Sequence, residues 1–440
     1  MDNKEKDIYQ IYNEIDNLLQ SIKIEDSKEI INNKKVEKEN TININDNIPE
    51  MPRVFFDNEK PVIYKEKTEE EKELIEKIKK EEEQKIEVKE EDKKTKNKKR
   101  KKKSKKKKTK KWVITFSILD VLALICLFLM YGPLSYFRNL WVTSAMTTMT
   151  HQYLAYVFFN QEQIDKIMSQ NSIIEVQENT NKDEINFEEQ EEIIEFASPE
   201  DEQVLTKDEG NDLYKVIKVE GDGYKGHLLV IYDPSKLHLA QITNLKYGKT
   251  IEKFVQEYGA VAGTNAGGFV YSEAKGYTPV GTVIIDGQII NSGDNSLFGG
   301  GIIGITNDNI LVLTKGSAEE AINMGVRDAV SFGPFLIVNG VASQFTGNGG
   351  FGVAPRTAIG QRKDGIVLLL VIDGRRPGHS IGVDMVELTN IMLKYGAYNA
   401  SNLDGGGSST IVVNGETLSV AGGYGYQGDR YLHNAWLLMP

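Results

Sequence analysis

The sequence predicts an α+β fold, a mostly antiparallel sheet with a few covering helices, preceded by a transmembrane helix and a disordered, charged N-terminal tail. Three observations carry this reading. Residues 1–111 are rich in Lys, Glu, Asn and Asp and contain no glycine, residues 112–131 are mainly apolar, and from Lys207 onward short β-rich runs alternate with Gly, Asn and Asp turns.

The first 111 residues carry few aromatics and no sustained apolar pattern, so they bury too little apolar surface to offset the entropy of ordering them. They are expected to be a disordered cytoplasmic tail, with short helical tendencies at 7–22 and 69–89. The formal net charge of -11 conceals an asymmetry, because 93–111 is nearly all basic while 184–202 is rich in acid. A basic run of this kind also suits nucleic acid, but its place directly before an apolar segment favours a membrane role, and no nucleic-acid partner is expected.

Residues 112–131 (WVITFSILDVLALICLFLMY) supply about the 20 apolar residues that a helix needs to cross a ~30 Å hydrocarbon core. The span begins too late in the sequence for a cleaved signal peptide and reads as an anchor. The basic block before it places the N-terminus in the cytoplasm and the C-terminal domain outside the cell. The single cysteine, Cys126, falls inside the span, so a packed core rather than a disulfide must hold the external part. The Lys, Ile and Asn bias fits a bacterial source. Residues 132–206 read as an extracellular stalk or linker, and 207–440 as the folded domain.

Within that domain YKVIKV, HLLVIYD, GTVIIDGQII, NILVLT, FLIVNGV and STIVVNGE have strand character, and their Asp-Gly and Asn-Gly pairs suit the positive φ of tight hairpins. Two segments, 250–258 and 383–395, carry apolar residues at helical spacing and stop at Gly259 and Gly396.

Two motif matches fail on context. Gly299, Gly301 and Gly304 satisfy G-x-G-x-x-G, yet a loop precedes them and a β-like run follows, the reverse of a dinucleotide site. Residues 378–382 (GHSIG) satisfy the nucleophile-elbow pattern, with Asp404 and His433 following in hydrolase order. Five residues, Asp373 to Pro377, separate that turn from its strand, and this argues against a serine hydrolase using Ser380. No H-e-x-x-H pattern or cysteine pair is present; a Ca or Mg site built from oxygens such as those of Asp373 or Asp404 is compatible with the sequence.

Four glycine-bearing segments sit at the edges of apolar runs: GTNAGGF (263–269), SFGP (331–334), APRTAIG (354–360) and NLDGGGSST (402–410). Glycine runs before hydroxyl residues let backbone N–H groups approach an anionic ligand. Arg356 and Arg375 add forked donors for a phosphate, and Asp373 and Asp404 supply carboxylates for acid/base work.

At these residues the chain resembles the phosphodiester glycosidase domain family, whose relatives include the enzyme that uncovers mannose 6-phosphate by removing N-acetylglucosamine from its phosphodiester. GTNAGGF, FGPFLIVNG, APRTAIG followed by VIDGR, GHSIGV and NLDGGGSSTIVVNGE occur in the family's order, with Arg430 before a final strand. The resemblance covers 207–440. It implies hydrolysis of a sugar-1-phosphate diester at a pocket with Asp404 and Asp373 as catalytic carboxylates. Asn265, Gly267, Arg356, Thr357, Arg375, Ser380, Gly405, Gly406, Ser408, Ser409 and Arg430 are the implied substrate-binding residues. A phosphorylated glycan of the cell surface or an exopolysaccharide is the expected substrate, and a non-catalytic glycan-binding or scaffold module of the same fold is the alternative.

Overall fold

The computed structural model describes residues 112–148, 151–187, 196–295, 300–420 and 430–440. The tail 1–111, the basic run and Gly299 lie outside the described residues. Three antiparallel sheets form the body of the domain, with helices against them, in agreement with the expected α+β class.

The central sheet has seven strands in the order Val341–Ala342, Phe335–Val338, Asn399–Asn402, Arg356–Gln361, Val367–Ile372, Tyr224–Ile231 and Tyr214–Gly221. Its middle strands are buried on both faces, which explains why VLLLVI and HLLVI read as continuous apolar runs rather than alternating ones. The pleat sorts them by parity. Leu229, Ile231, Leu369 and Val371 pack toward the other two sheets, whereas Leu228, Val230, Leu368 and Leu370 face the helix Met385–Lys394 through Leu388, Ile391 and Met392.

One five-stranded sheet runs Leu311–Thr314, Gly301–Thr306, Val326–Phe332, Val283–Ile285 and Gln288–Asn291. The other runs Glu416–Thr417, Ile411–Val413, Ala262–Asn265, Asn434–Leu438 and Leu237–Gln241. The Asp286-Gly287, Asn339-Gly340 and Asn414-Gly415 pairs all have positive φ, so the hairpin turns fall where those dipeptides predict them.

Helix Ile251–Tyr258 starts at a Thr250 cap and ends at a left-handed Gly259, as expected. The short helix Ala318–Asn323 escapes the periodicity reading; a Ser317–Glu320 capping box sets its start. Trp436 is fully buried among the sheets. Its replacement by alanine is expected to destabilise the domain by about 3–5 kcal/mol, measured by denaturant unfolding of the full-length chain.

The spacer expected over 132–206 is in large part integrated into the fold. Ile173–Ile174 pairs with Gln344–Phe345. The Glu175 carboxylate accepts from the amides of Gly300 and Phe335, both at 2.9 Å, and pairs with Lys315 at 3.1 Å. Helix Pro199–Leu205 buries Val204 in the core, and its Asp201 pairs with Arg362 at 2.9 Å. These contacts are with residues far away in sequence, so local composition carries no sign of them.

Among the described residues one helix, Trp112–Tyr131, is long and apolar enough to cross a membrane. Helix Ser135–Met146 follows it and packs with Gln161–Gln170 around Val142, Phe159 and Ile164.

Candidate functional site

The site is built where strand ends of two sheets meet. Asn265 ends the strand Ala262–Asn265 and is fully enclosed. Its Oδ1 accepts from the Thr357 hydroxyl at 2.8 Å and from the Thr410 amide at 3.1 Å, and its Nδ2 donates to the Asp404 carbonyl at 2.5 Å. The Leu403 amide donates to Thr357 O at 2.8 Å and the Asp404 amide to Ala266 O at 3.1 Å. Asn265 and Thr357 therefore fix the start of the Asp404 loop.

The glycines after Asp404 let that loop lie on its neighbours. The Gly406 amide donates to Pro355 O at 2.8 Å, directly beside Arg356. Gly406 has φ +64, and a Cβ there would sit 3.2 Å from Arg375 Nη2. Only glycine takes both the left-handed backbone and the close guanidinium without strain. The Asp404 loop thus meets Arg356 on one side and Arg375 on the other.

Arg356 begins the strand Arg356–Gln361, opposite Ile372 in register, and is buried. Its Nη2 donates to the carbonyls of Phe351 (2.8 Å) and Gly352 (2.7 Å), and its Nε to Val383 O at 3.2 Å. Burial, and secondarily the like charge of Arg375, push its pKa down to about 10 against the opposing pull of Asp384. It is still a cation at neutral pH. Arg375 itself has φ 56, an unfavourable backbone for a side chain with a Cβ. The like charges of the two guanidiniums oppose one another, a cost that a bound anion would offset.

The carboxyl of Asp404 is pushed above its ordinary range by burial, with Arg430, the Ser408 hydroxyl and the Gly405 amide pulling the other way. Arg430 Nη1 donates to Ser408 Oγ at 3.1 Å and its guanidinium lies 4.9 Å over the Phe269 ring. Asp404, Ser408 and Arg430 therefore form a second polar edge beside the arginine pair.

The geometry separates residues that the sequence reading grouped together. Asp373 is buried with Oδ2 2.8 Å from His379 Nε2 and Oδ1 accepting the Val420 amide at 2.9 Å, so its carboxylate is already held from both sides. Ser380 is also buried; its hydroxyl donates to Asp373 O at 2.5 Å and accepts from the Lys225 amide at 3.2 Å. His433 Nε2 contacts Asn434 Nδ2 at 2.8 Å, and burial holds its pKa down to about 3. The Ser380–Asp404–His433 triad is thus not assembled, a correction to the alternative that used Ser380. Fluorophosphonate treatment of the full-length chain is expected to leave Ser380 unlabelled in peptide mass spectra, where a serine hydrolase would be modified.

The Gly267 amide donates to Asn434 Oδ1 at 3.0 Å, and a Cβ on Gly267 would meet Val330 at 2.8 Å, so packing rather than a ligand accounts for this glycine. Ser409 Oγ is buried without a hydrogen bond among the described residues. Among those residues no three of His, Cys, Asp and Glu converge as metal ligands. A cavity of about 340 Å³ lies at the other end of the Arg356–Gln361 strand, where Arg362 is already paired with Asp201 and Asp364 at 2.9 Å.

Sequence reasoning missed His379, Asn434 and the carbonyls of 351–352. His379 was legible as a titratable residue inside GHSIG. The carbonyls were not, since the distant helix Ser135–Met146 and its cap supply their support: Thr147 Oγ1 donates to Phe351 O at 3.3 Å and Asn348 Nδ2 to Thr143 Oγ1 at 2.8 Å.

Comparison with known proteins gives a consistent result. Residues 258–439 match the family model described as phosphodiester glycosidase. The SPbeta prophage-derived uncharacterized protein YomE of Bacillus subtilis is 35% identical over 105 residues, 23% of this chain and 16% of the relative. The N-acetylglucosamine-1-phosphodiester alpha-N-acetylglucosaminidase of Mus musculus is 28% identical over 243 residues, 49% of this chain and 44% of the relative. The solved catalytic domain of the zebrafish enzyme of that name, auto-inhibited by pro-peptide, aligns at 19% identity and a TM-score of 0.44 over 53% of this chain and 86% of that one. The chain thus spans less than half the length of these two curated relatives.

Proposed function

We propose, from the relationship of residues 258–439 to the phosphodiester glycosidase family, that this chain is a membrane-anchored extracellular hydrolase that cleaves a sugar-1-phosphate diester. The observation that carries the reading is the meeting of Arg356 and Arg375 at the Asp404 loop through Pro355 and Gly406. Paired guanidiniums suit a phosphodiester, and burial raises the proton affinity of the nearby carboxyl above that of an ordinary aspartate.

In the proposed reaction Arg375 holds the phosphate oxygens, and Arg356, whose Nε and Nη2 donate to the carbonyls of Val383, Phe351 and Gly352, adds its buried positive charge and its remaining Nη1. Water attacks the anomeric carbon, and Asp404 in its carboxylate form takes the proton of that water. The C1–O bond breaks with its electron pair passing to the phosphate oxygen, so a free sugar and a phosphomonoester result. The arginines stabilise the charge that gathers on the departing phosphate. Asp373, braced by His379 and the Val420 amide, keeps the Arg375 turn in place rather than reacting.

The exposed apolar side chains of Trp112–Tyr131 and the basic residues of 93–111 support an anchor with the domain outside the cell. That topology makes a phosphodiester-linked glycan at the cell surface the natural substrate class. The full-length chain in detergent is expected to release free N-acetylglucosamine and a phosphomonoester from a synthetic GlcNAc-1-phosphodiester. Binding of the ester without turnover would instead identify a glycan-binding module.

A further inference from the structure

We propose that the aromatic hairpin beside Arg430 is an extended subsite for the neighbouring repeats of a polyanionic glycan whose sugars are joined through phosphodiesters. This deepens the reading of the Asp404 site and rests on it for the identity of the linkage. The strands Phe269–Ser272 and Gly276–Pro279 pair with Phe269 opposite Pro279 and Tyr271 opposite Tyr277. The period of two along a strand puts Phe269 and Tyr271 on one face. On that face the Tyr277 ring lies 5.5 Å from Phe269 and 4.8 Å from Tyr271.

Tyr431 extends the surface. A Cβ on Gly248 would lie 2.8 Å from Tyr277 Cζ and 2.9 Å from Tyr431 Cβ, so Gly248 sits between the two tyrosines. Tyr271 is 56% and Tyr431 49% exposed, whereas Phe269 behind them is buried. Exposed rings grouped in this way mark an interaction surface, and the flat faces of tyrosines offer an apolar body with a polar tip for a sugar ring.

Continuity and charge identify the occupant. Arg430 donates to Ser408 beside Asp404 and lies over Phe269, so a single side chain joins the reacting edge to the tyrosines. Lys253 Nζ stands 5.9 Å over the Tyr431 ring, and Lys246 and Lys275 are exposed near the tip of the hairpin, Lys246 beside Gly276. Glu252, Glu257 and Glu273 are exposed acids on the same elements, Glu257 being paired with Lys249. The exposed rings of Tyr271 and Tyr431, with Arg430 and Lys253 against the rings of Phe269 and Tyr431, suit a chain of sugars and phosphates better than a neutral glycan.

The test uses the full-length chain in detergent and two esters of the same linkage, a single sugar-1-phosphate methyl diester and a four-repeat oligomer. The wild type is expected to prefer the oligomer in kcat/KM by about tenfold or more, and Tyr271→Ala and Tyr431→Ala to reduce that oligomer-to-monomer ratio by about tenfold. Tyr271→Trp, which keeps a ring, should retain the preference. Equal losses on both esters, or no preference in the wild type, would overturn the subsite. Calorimetric titration of the oligomer into an Asp404→Asn chain, with and without Tyr271→Ala, gives a readout without turnover. If the wild type hydrolyses neither ester yet oligomer binding weakens about tenfold with Tyr271→Ala, the hydrolase reading fails and the subsite stands. Unchanged oligomer binding in that pair removes the subsite.

Discussion

Replacement of Arg356 by alanine is expected to lower kcat/KM for a sugar-1-phosphate diester by about a thousandfold, the upper range for loss of a preorganised charged donor. Two effects add on the proposed reading. A bound phosphate would lose the charge of Arg356, and the carbonyls of Phe351, Gly352 and Val383 lose the donor that orders them. Arg356→Lys retains the charge but not the fork, so it should recover only part of the rate. Thermal unfolding of each variant separates the two effects, because a collapse of the 351–352 loop lowers the melting temperature while loss of phosphate contact does not. Near-wild-type turnover by Arg356→Ala would refute the phosphate role.

Asp404→Asn is expected to reduce kcat by about a thousandfold, since the amide keeps the shape of the loop but takes no proton from water. The pH profile carries the sharper signature. Burial raises the Asp404 pKa above that of an ordinary carboxylate, and the reaction needs the deprotonated form. The rate should therefore fall as pH drops through that raised value, at a higher pH than an exposed aspartate would give. Asp404→Asn should abolish this acid limb in the residual rate. Stopped assays of kcat/KM between pH 4 and 8 on both proteins decide the point, and an unchanged limb in the variant would assign it to another group.

Much of the fold was legible because its signals are local. Asp-Gly and Asn-Gly turned where they were expected at Gly287, Gly340 and Gly415, and Thr250 and Gly259 bracketed a helix as cap chemistry requires. The two faces of the central sheet were not separable in the sequence, because VLLLVI buries every residue and so loses its period. The segment expected as a stalk contributes Ile173–Ile174, Glu175 and Val204 to the domain, and each finds a partner more than ten residues away. No local pattern encodes such a partner.

The site was legible as a set of loops and not as a division of labour. Asp404, Arg356 and Arg375 lie around one loop, and the side chains of Asn265 and Thr357 hydrogen-bond to each other, that of Asn265 also to the loop. Asp373 and Ser380 look reactive by residue type, yet their polar atoms are taken up by His379, Val420 and Lys225. Arg356 is likewise engaged through Nε and Nη2 with backbone carbonyls, and partners of this kind are set by topology. Arg430 was placed correctly before the last strand, but its position over Phe269, which links the site to the tyrosine hairpin, depends on the pairing of Asn434–Leu438 with Ala262–Asn265.

The proposed roles of Asp404, Arg356 and Arg375 predict that the C1–O bond breaks, the outcome of a glycosidase, rather than a bond to phosphorus. Hydrolysis of the GlcNAc-1-phosphodiester in water enriched in oxygen-18, followed by mass spectrometry of both products, tests this directly. The label is expected in the anomeric hydroxyl of the released sugar, with none in the phosphomonoester. Label in the phosphomonoester instead would mean attack at phosphorus and would contradict the roles given to Asp404, Arg356 and Arg375.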